Sequence, residues 1–329
     1  MFKYFILFLI SSILTAALLA ILRKISLKSN LFISKEGIPY IGGPAIFLSL
    51  VFSYLAFFSF AGIKLPPEIV TIFIFFFILA AIEFIDDMKD FSLRMKVIMQ
   101  IIFIFFFLLY AKRVQIHFLP SWANYLISFL WIMGITNAFN LLDISDGLCA
   151  GVALTISLAF MAVSFIKADF VLFGLFTVLS GTLLSFMIFN FPPAKVFMGN
   201  SGSHLLGFLF ASLSIYGDYA ALDNKIALLT PLLILFFPII DTFILIIMRL
   251  KRGIIPLKKS NDHIFLYLLK AGYTHKKSLA KVCFVNLLWV ISGVAVVFGL
   301  NPIFVIFIIL AALYTLRVIL NARLQSPIS

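Results

Sequence analysis

The chain reads as an all-α, polytopic membrane protein of about eleven transmembrane helices, with its N-terminus outside and its C-terminus inside. Three observations predict this. Of 329 residues, 64% are hydrophobic and 12% charged, about half the charge of a soluble globule, and the mean hydropathy is +1.19. Apolar runs recur at the ~20-residue length that a helix needs to cross hydrocarbon. Lys and Arg gather in alternate loops, as membrane topology demands. No internal repeat, heptad array or low-complexity linker interrupts the pattern, so residues 1–329 are expected to form a single membrane domain.

The first span, near 2–22, lies between Lys3 and Arg23-Lys24 and is longer than the apolar core of a leader peptide, so it is read as a retained helix. The second, 41–62, opens on Gly42-Gly43-Pro44, and the third, 69–85, runs from Glu68 into Glu83. Spans at 95–111 and 122–141 flank an outer loop that carries Lys112, Arg113 and His117. The sixth, 148–166, starts after Gly147, and the seventh, 169–189, is stopped by Pro192-Pro193. The eighth, 203–221, emerges from Gly199-Asn200-Ser201-Gly202-Ser203. The ninth, 226–248, meets a long basic loop from Arg249 to Lys277, and spans at 279–299 and 303–321 follow it. Most of the 41 Phe serve these spans as lipid-facing and packing bulk, and Cys149 and Cys283 have no ligand spacing and read as packing residues.

With the N-terminus outside, Lys3, Lys64, Lys112, Arg113, Lys167 and Lys225 face outward and the rest of the 25 basic residues face the cytoplasm. The net charge of +12 is then topological, and nucleic-acid binding is not needed to explain it. The same topology puts Glu36, Glu83, Asp86, Asp87, Asp90, Asp143, Asp146, Asp241 and Asp262 at the inner face, against Glu68, Asp169, Asp218 and Asp223 outside. Acids and bases converging on one face suit an anionic substrate handled with a divalent cation.

Four breaks between spans carry the chemistry. In Glu83 to Asp90, the pair Asp86-Asp87 can put carboxylates on one helical turn, with Lys96 about two turns on and able to reach a phosphate. The bland alternative is an interfacial loop with solvated acids. In Asn137 to Gly147, the residues Asn137, Asn140, Asp143 and Asp146 recur at three-residue steps, a stripe of oxygens suited to a metal and to a nucleotide base. A cap with an Asp146-Gly147 turn is the alternative. From Asn190 to Ser203, two prolines and small residues start a helix whose free N–H groups could seat a pyrophosphate, or which Ser201 or Ser203 simply caps. In the basic loop, Asp262 beside His263 can orient the imidazole or bind a sugar. His117 and His204 read as ordinary loop and helix-start residues.

These breaks, in this order, resemble the polyprenyl-phosphate N-acetylhexosamine-1-phosphate transferases. The resemblance runs from Pro39 and Gly42-Gly43-Pro44 through the Asp86-Asp87 and Asn137–Gly147 motifs and Phe197–Ser203 to Asp241 and the loop of Arg249 and His263. It implies transfer of a sugar 1-phosphate from a UDP-sugar to polyprenyl (undecaprenyl) phosphate, with release of UMP and with Mg2+ or Mn2+ as cofactor. By position it implies that Asp86, Asp87 and Lys96 engage the lipid phosphate and that Asn140, Asn200 and Asp143 serve the metal. It leaves Asn137, Asp146, Asn190, Ser201, Arg249, Asp262 and His263 to the nucleotide and sugar. The expected partners are the lipid carrier, the UDP-sugar, membrane lipids and a second copy of the chain, at a multi-pass site on the cytoplasmic face of the inner membrane. The chain departs from the family pattern at Asn200, where an Asp is usual, at Ile144, where a Gly is usual, and at Phe265 and Leu266, where the His-x-His-His cluster of this loop would place its other two histidines. A homologue that binds without turnover, and a transporter, are the alternative readings.

Overall fold

The computed structural model describes residues 1–62, 64–89, 91–116, 119–219, 225–251, 253, 263–299, 306–314 and 317. Their regular structure is helical, apart from one isolated bridge between Ile33 and Pro39, and the chain is a polytopic all-α membrane protein. Contacts divide it into two units, Met1–Asp218 and Tyr219–Ser329.

The first unit holds eight helices: α1 (Phe2–Ser29), α2 (Gly42–Ala61), α3 (Pro67–Lys89), α4 (Leu93–Tyr110), α5 (Ser121–Leu142), α6 (Leu148–Ile166), α7 (Phe170–Asn190) and α8 (Gly199–Tyr216). α7 and α8 are its core. Every residue of α8 from Ser201 to Ser214 is buried, as is every residue of α7 from Leu172 to Leu183. Apart from His204, both buried stretches are apolar or small all round, as helices without a free face must be. α1, α2 and α6 pack on α7, while α2, α3 and α5 pack on α8. α1 and α4 instead leave most of their apolar residues exposed, the pattern expected of helices that meet lipid.

Apolar burial drives little helix association inside a bilayer, so close packing and hydroxyl bonds must supply it. Thr15 of α1 hydrogen-bonds Ser49 of α2 at 2.6 Å, Ser12 donates to the Gly181 carbonyl of α7 at 3.0 Å, and Ser185 donates back to the Ser12 carbonyl at 2.6 Å. Aromatic edges complete the other side, where Phe103 and Phe107 of α4 lie 5.3 and 5.1 Å from Phe208 of α8.

The second unit begins with a 3-10 turn (Lys225–Leu229) and continues with α9 (Thr230–Ile234), α10 (Phe236–Lys251), α11 (Ile264–Lys270) and α12 (His275–Val297). The expected span at 226–248 is bent by 64° between α9 and α10. Pro238 explains the break, because it has no N–H to offer the carbonyl of Ile234 and its ring crowds that carbonyl.

Against the eleven spans expected, eight helices among the described residues are long and apolar enough to cross a membrane, nine if the bent pair is one span. α8 fails that ruler because its first six residues, Gly199 to His204, are polar or glycine. The expected span at 303–321 falls partly outside the described residues, although 306–314 are helical.

Candidate active site

The last turns of α3 send three carboxylates to three different partners. Asp86 is buried and closes the turn into α4: its Oδ1 accepts from the Phe91 N–H at 2.9 Å and its Oδ2 lies 2.8 Å from Lys96 Nζ. The second contact is an ion pair by distance rather than an aligned hydrogen bond. Asp87, about 100° further round the helix, turns to α8, where its Oδ2 accepts from the Ser201 N–H at 3.2 Å. Glu83 lies one turn before Asp87, and its Oε2 is 2.7 Å from Nδ1 of His204. Asp90 lies outside the described residues, as does His117.

The first turn of α8 is therefore capped in trans. Met198 holds the N-cap position with no side-chain bond, and neither Ser201 nor Ser203 caps the helix as the sequence suggested. Asp87 satisfies one of the free N–H groups instead, in the place where an anion is favoured by the helix dipole. Ser203 Oγ sits 3.1 Å from Oδ1 of Asn140, 3.1 Å from the Asn200 carbonyl and 3.3 Å from the Gly199 carbonyl. Its single proton serves one of these at a time. Asp87 and Asn140, distant in sequence, thus each bond the N-terminal end of α8, at Ser201 and at Ser203.

That turn is held by α2. The N–H groups of Gly42 and Gly43 donate to the carbonyls of Phe197 and Met198 at 3.0 and 2.7 Å, and Phe197 N–H donates to Pro39 at 2.8 Å. The crossing works because Gly43 and Gly202 lack side chains. A Cβ on Gly43 would stand 2.2 Å from Ser201 Oγ and 2.6 Å from the Gly202 nitrogen.

The Asn137–Gly147 stripe divides its work. Asn137 Nδ2 donates to Gln100 Oε1 of α4 at 2.9 Å and to the Met133 carbonyl at 2.8 Å. Asn140 reaches α8 as described, and Asp143 is the C-cap of α5. Asp146 Oδ2 accepts from the Ala194 N–H at 2.9 Å. Asn190 accepts from the Gly147 N–H and donates to the Val196 carbonyl, both at 2.9 Å. Asp146 and Asn190 therefore stitch the α5–α6 turn to the α7–α8 loop. Gly147 supplies the left-handed residue of that turn, with φ +74°. Ile144 is not among the residues of positive φ, so the change from glycine brings no backbone strain.

In the second unit, Asp241 Oδ2 lies 2.9 Å from His263 Nδ1, and Asp241 Oδ1 accepts from the Ile264 N–H at 3.1 Å. A carboxylate that orients His263 thus comes from 22 positions away; Asp262, the neighbour expected to do so, lies outside the described residues. Arg249 is fully buried on α10, on the same face as Asp241 and Leu245 at four-residue steps. Sequence reasoning missed three pairings: Glu83 with His204, Gln100 with Asn137, and Asp241 with His263. An imidazole at the entrance to the apolar run from Leu205 was the available signal for His204, because a buried His needs a partner.

Among the described residues, no three His, Cys, Asp or Glu side chains stand together as a metal cluster. The donors that reach the N-terminal end of α8 are the Asp87 carboxylate and the amide of Asn140, and Asn200 is the second residue of that helix. Oxygen-only donors with one acid and amides match a hard cation such as Mg2+ or Mn2+ rather than zinc, so the residues fit the implied metal.

The profile of the family described as "Glycosyl transferase family 4" matches residues 69–218, which run from α3 to the end of the first unit. A probable undecaprenyl-phosphate N-acetylglucosaminyl 1-phosphate transferase of Bacillus subtilis (strain 168) is 30% identical over 312 residues, covering 89% of this chain and 85% of the relative. The chain belongs to glycosyl transferase family 4. A phospho-N-acetylmuramoyl-pentapeptide-transferase of Fervidobacterium nodosum is 31% identical over 211 residues, 61% of this chain and 65% of its own. A decaprenyl-phosphate N-acetylglucosaminephosphotransferase of Mycolicibacterium smegmatis is 31% identical over 176 residues, 48% and 43% of the two chains. In this family 4 transferase, the matched stretch contains Asp87, Asn140, Asn200 and Ser201, all gathered at the α8 start, and excludes Arg249, Asp262 and His263.

Proposed function

We propose that the chain transfers an N-acetylhexosamine 1-phosphate from a UDP-sugar to polyprenyl phosphate, releasing UMP and starting a lipid-linked surface glycan. One observation carries the reading: Asp87 from α3 and Asn140 from α5 both bond the N-terminal end of α8, through Ser201 N–H and Ser203 Oγ, which brings together three polar breaks far apart in sequence. The near full-length match to a relative named for N-acetylglucosaminyl 1-phosphate transfer supports the sugar class. The same reading takes eleven spans with the N-terminus outside and the site at the cytoplasmic face, where UDP-sugars are, as the distribution of basic residues supports.

In this reaction an oxygen of the lipid phosphate attacks the phosphorus that carries the sugar, and the bond from that phosphorus to UMP breaks. Asp87, Asn140 and Asn200 would hold a divalent cation, which when bound neutralises pyrophosphate charge. Asp87 is the acid that faces the site, whereas Asp86 holds Lys96 in place for the lipid phosphate. A phosphate monoester is largely ionised near neutral pH, so Asp87 acts more by positioning than by taking a proton. Asn137, fixed by Gln100, and the turn fixed by Asp146 and Asn190 give the donor a rigid wall.

Purified protein given undecaprenyl phosphate, Mg2+ and a panel of UDP-N-acetylhexosamines is expected to release UMP. Release no greater than that of Asp87→Ala would end this reading for those donors. Asn200 favours one competing reading, a binder without turnover, and Asn200→Asp separates the two: metal-dependent activity gained by a chain that had none supports the binder.

A further inference from the structure

We propose that Glu83 and His204 form a positioning pair that sets Asp87 on the first turn of α8. Neither residue is assigned to substrate or metal, although His204 also feels the charges of Asp86 and Lys96, and the pair's chemistry is unlike its apolar surroundings. Glu83 Oε2 and His204 Nδ1 are 2.7 Å apart, with side chains 13% and 10% exposed, in the core of a membrane protein where unpaired polar groups are expensive. Such a contact forces one geometry on the two helices that carry it.

Its register explains what it does. α3 and α8 run antiparallel and are joined by two polar links, Asp87 to Ser201 and Glu83 to His204. Along α3 these are four residues apart, about 6 Å, and along α8 three residues, about 4.5 Å. One link would leave α3 free to slide or roll about its contact. Two links a turn apart fix both movements, and the upper one, Asp87 to Ser201, is the longer at 3.2 Å. Glu83 and Asp87 lie on one face of α3, so whatever holds Glu83 aims Asp87. On α8, His204 follows Asn200 by four residues and shares its face, so the same anchor registers Asn200 against α3.

The neighbouring charges do not replace this anchor. Asp86 is committed to Lys96 and to the Phe91 N–H, and these hold α3 to α4 rather than to α8. Loss of the Glu83–His204 link would leave Asp87 with its longer bond alone, and displacements near 1 Å at a reacting centre cost up to about 100-fold in rate.

The inference rests on the phosphotransfer reading, and its test separates the two. UMP release would be measured with UDP-N-acetylglucosamine and undecaprenyl phosphate, per molecule of monodisperse full-length protein. Glu83→Ala and His204→Ala are expected to lower kcat roughly 10- to 100-fold with KM for both substrates held within about twofold. The double variant should lose no more than the worse single one, and Glu83→Gln, whose amide oxygen still accepts from Nδ1, should keep most of the activity. A change in KM alone, losses that multiply in the double variant, or a Gln variant no better than Ala would overturn the proposal. A second readout needs no turnover. With Cys149→Ala and Cys283→Ala, a thiol introduced by Asp87→Cys should react severalfold faster with a maleimide once His204→Ala is added. Unchanged labelling would overturn the positioning role whatever the activity; faster labelling, when the chain with Asp87 intact releases no UMP, would keep it and reject the reaction.

Discussion

Asp86→Asn and Asp87→Asn should have very different consequences, although the residues are adjacent and chemically identical. In Asp87→Asn the amide oxygen can still accept from the Ser201 N–H, which Asp87 contacts at 3.2 Å. What disappears is the charge at the start of an 18-residue helix, which costs about 0.5–1 kcal/mol through the dipole and a further ~1 kcal/mol of charge assistance. The protein should therefore fold. Its UMP release should fall by about 100-fold or more, about 2.7 kcal/mol of transition-state stabilisation, because a fixed charge beside the reacting phosphates and cation is lost. In Asp86→Asn the bond from Phe91 N–H, 2.9 Å in the native chain, can persist, and Lys96 loses its counter-ion at 2.8 Å. Lys96 is 30% exposed, so water stabilises part of the orphaned charge and the cost is about 1–2 kcal/mol. A loss of activity of about tenfold is expected from a less well-placed ammonium. Steady-state UMP release with matched amounts of folded protein checks this. If Asp86→Asn is the more damaging change, the assignment of Asp87 as the acid facing the site is wrong.

Gly43→Ala should reduce both folded yield and activity, since its Cβ would stand 2.2 Å from Ser201 Oγ and 2.6 Å from the Gly202 nitrogen; size-exclusion profiles and UMP release would report it, and a native-like variant would contradict the tight α2–α8 crossing. Asn200→Asp should lower the Mg2+ concentration needed for half-maximal activity by roughly tenfold, because a carboxylate binds the hard cation better than an amide; a metal titration that does not move would remove Asn200 from the site. Chelation by EDTA should abolish UMP release and added Mg2+ should restore it. Donor preference should follow residues 258–266: exchange for a segment with a full histidine cluster should change the relative rates with different UDP-sugars, and unchanged rates would show that this loop does not read the sugar.

Much of the site was legible because the price of polar groups in an apolar chain is a local property. Asn137, Asn140, Asp143 and Asp146 stand out at three-residue steps, and the structure uses Asn140 toward α8 and Asp146 toward Ala194. The Gly199–Ser203 run announced a helix start, which α8 confirms. What it did not announce was the cap, because an N-cap from another helix leaves no local signature. Likewise nothing near His263 in the sequence announced Asp241, which lies 2.9 Å from its Nδ1.

The sequence by itself determined that this is a helical membrane protein and in which order its polar breaks occur, because hydropathy and motif spacing are written residue by residue. Only the tertiary structure decided which acid meets which helix. Consecutive residues on a helix point about 100° apart, so Asp86 faces α4 and Asp87 faces α8. Which helix lies on which side depends on how glycines such as Gly43 and Gly202 let backbones approach. The same packing turned His204 from an unremarkable helix-start residue into the partner of Glu83.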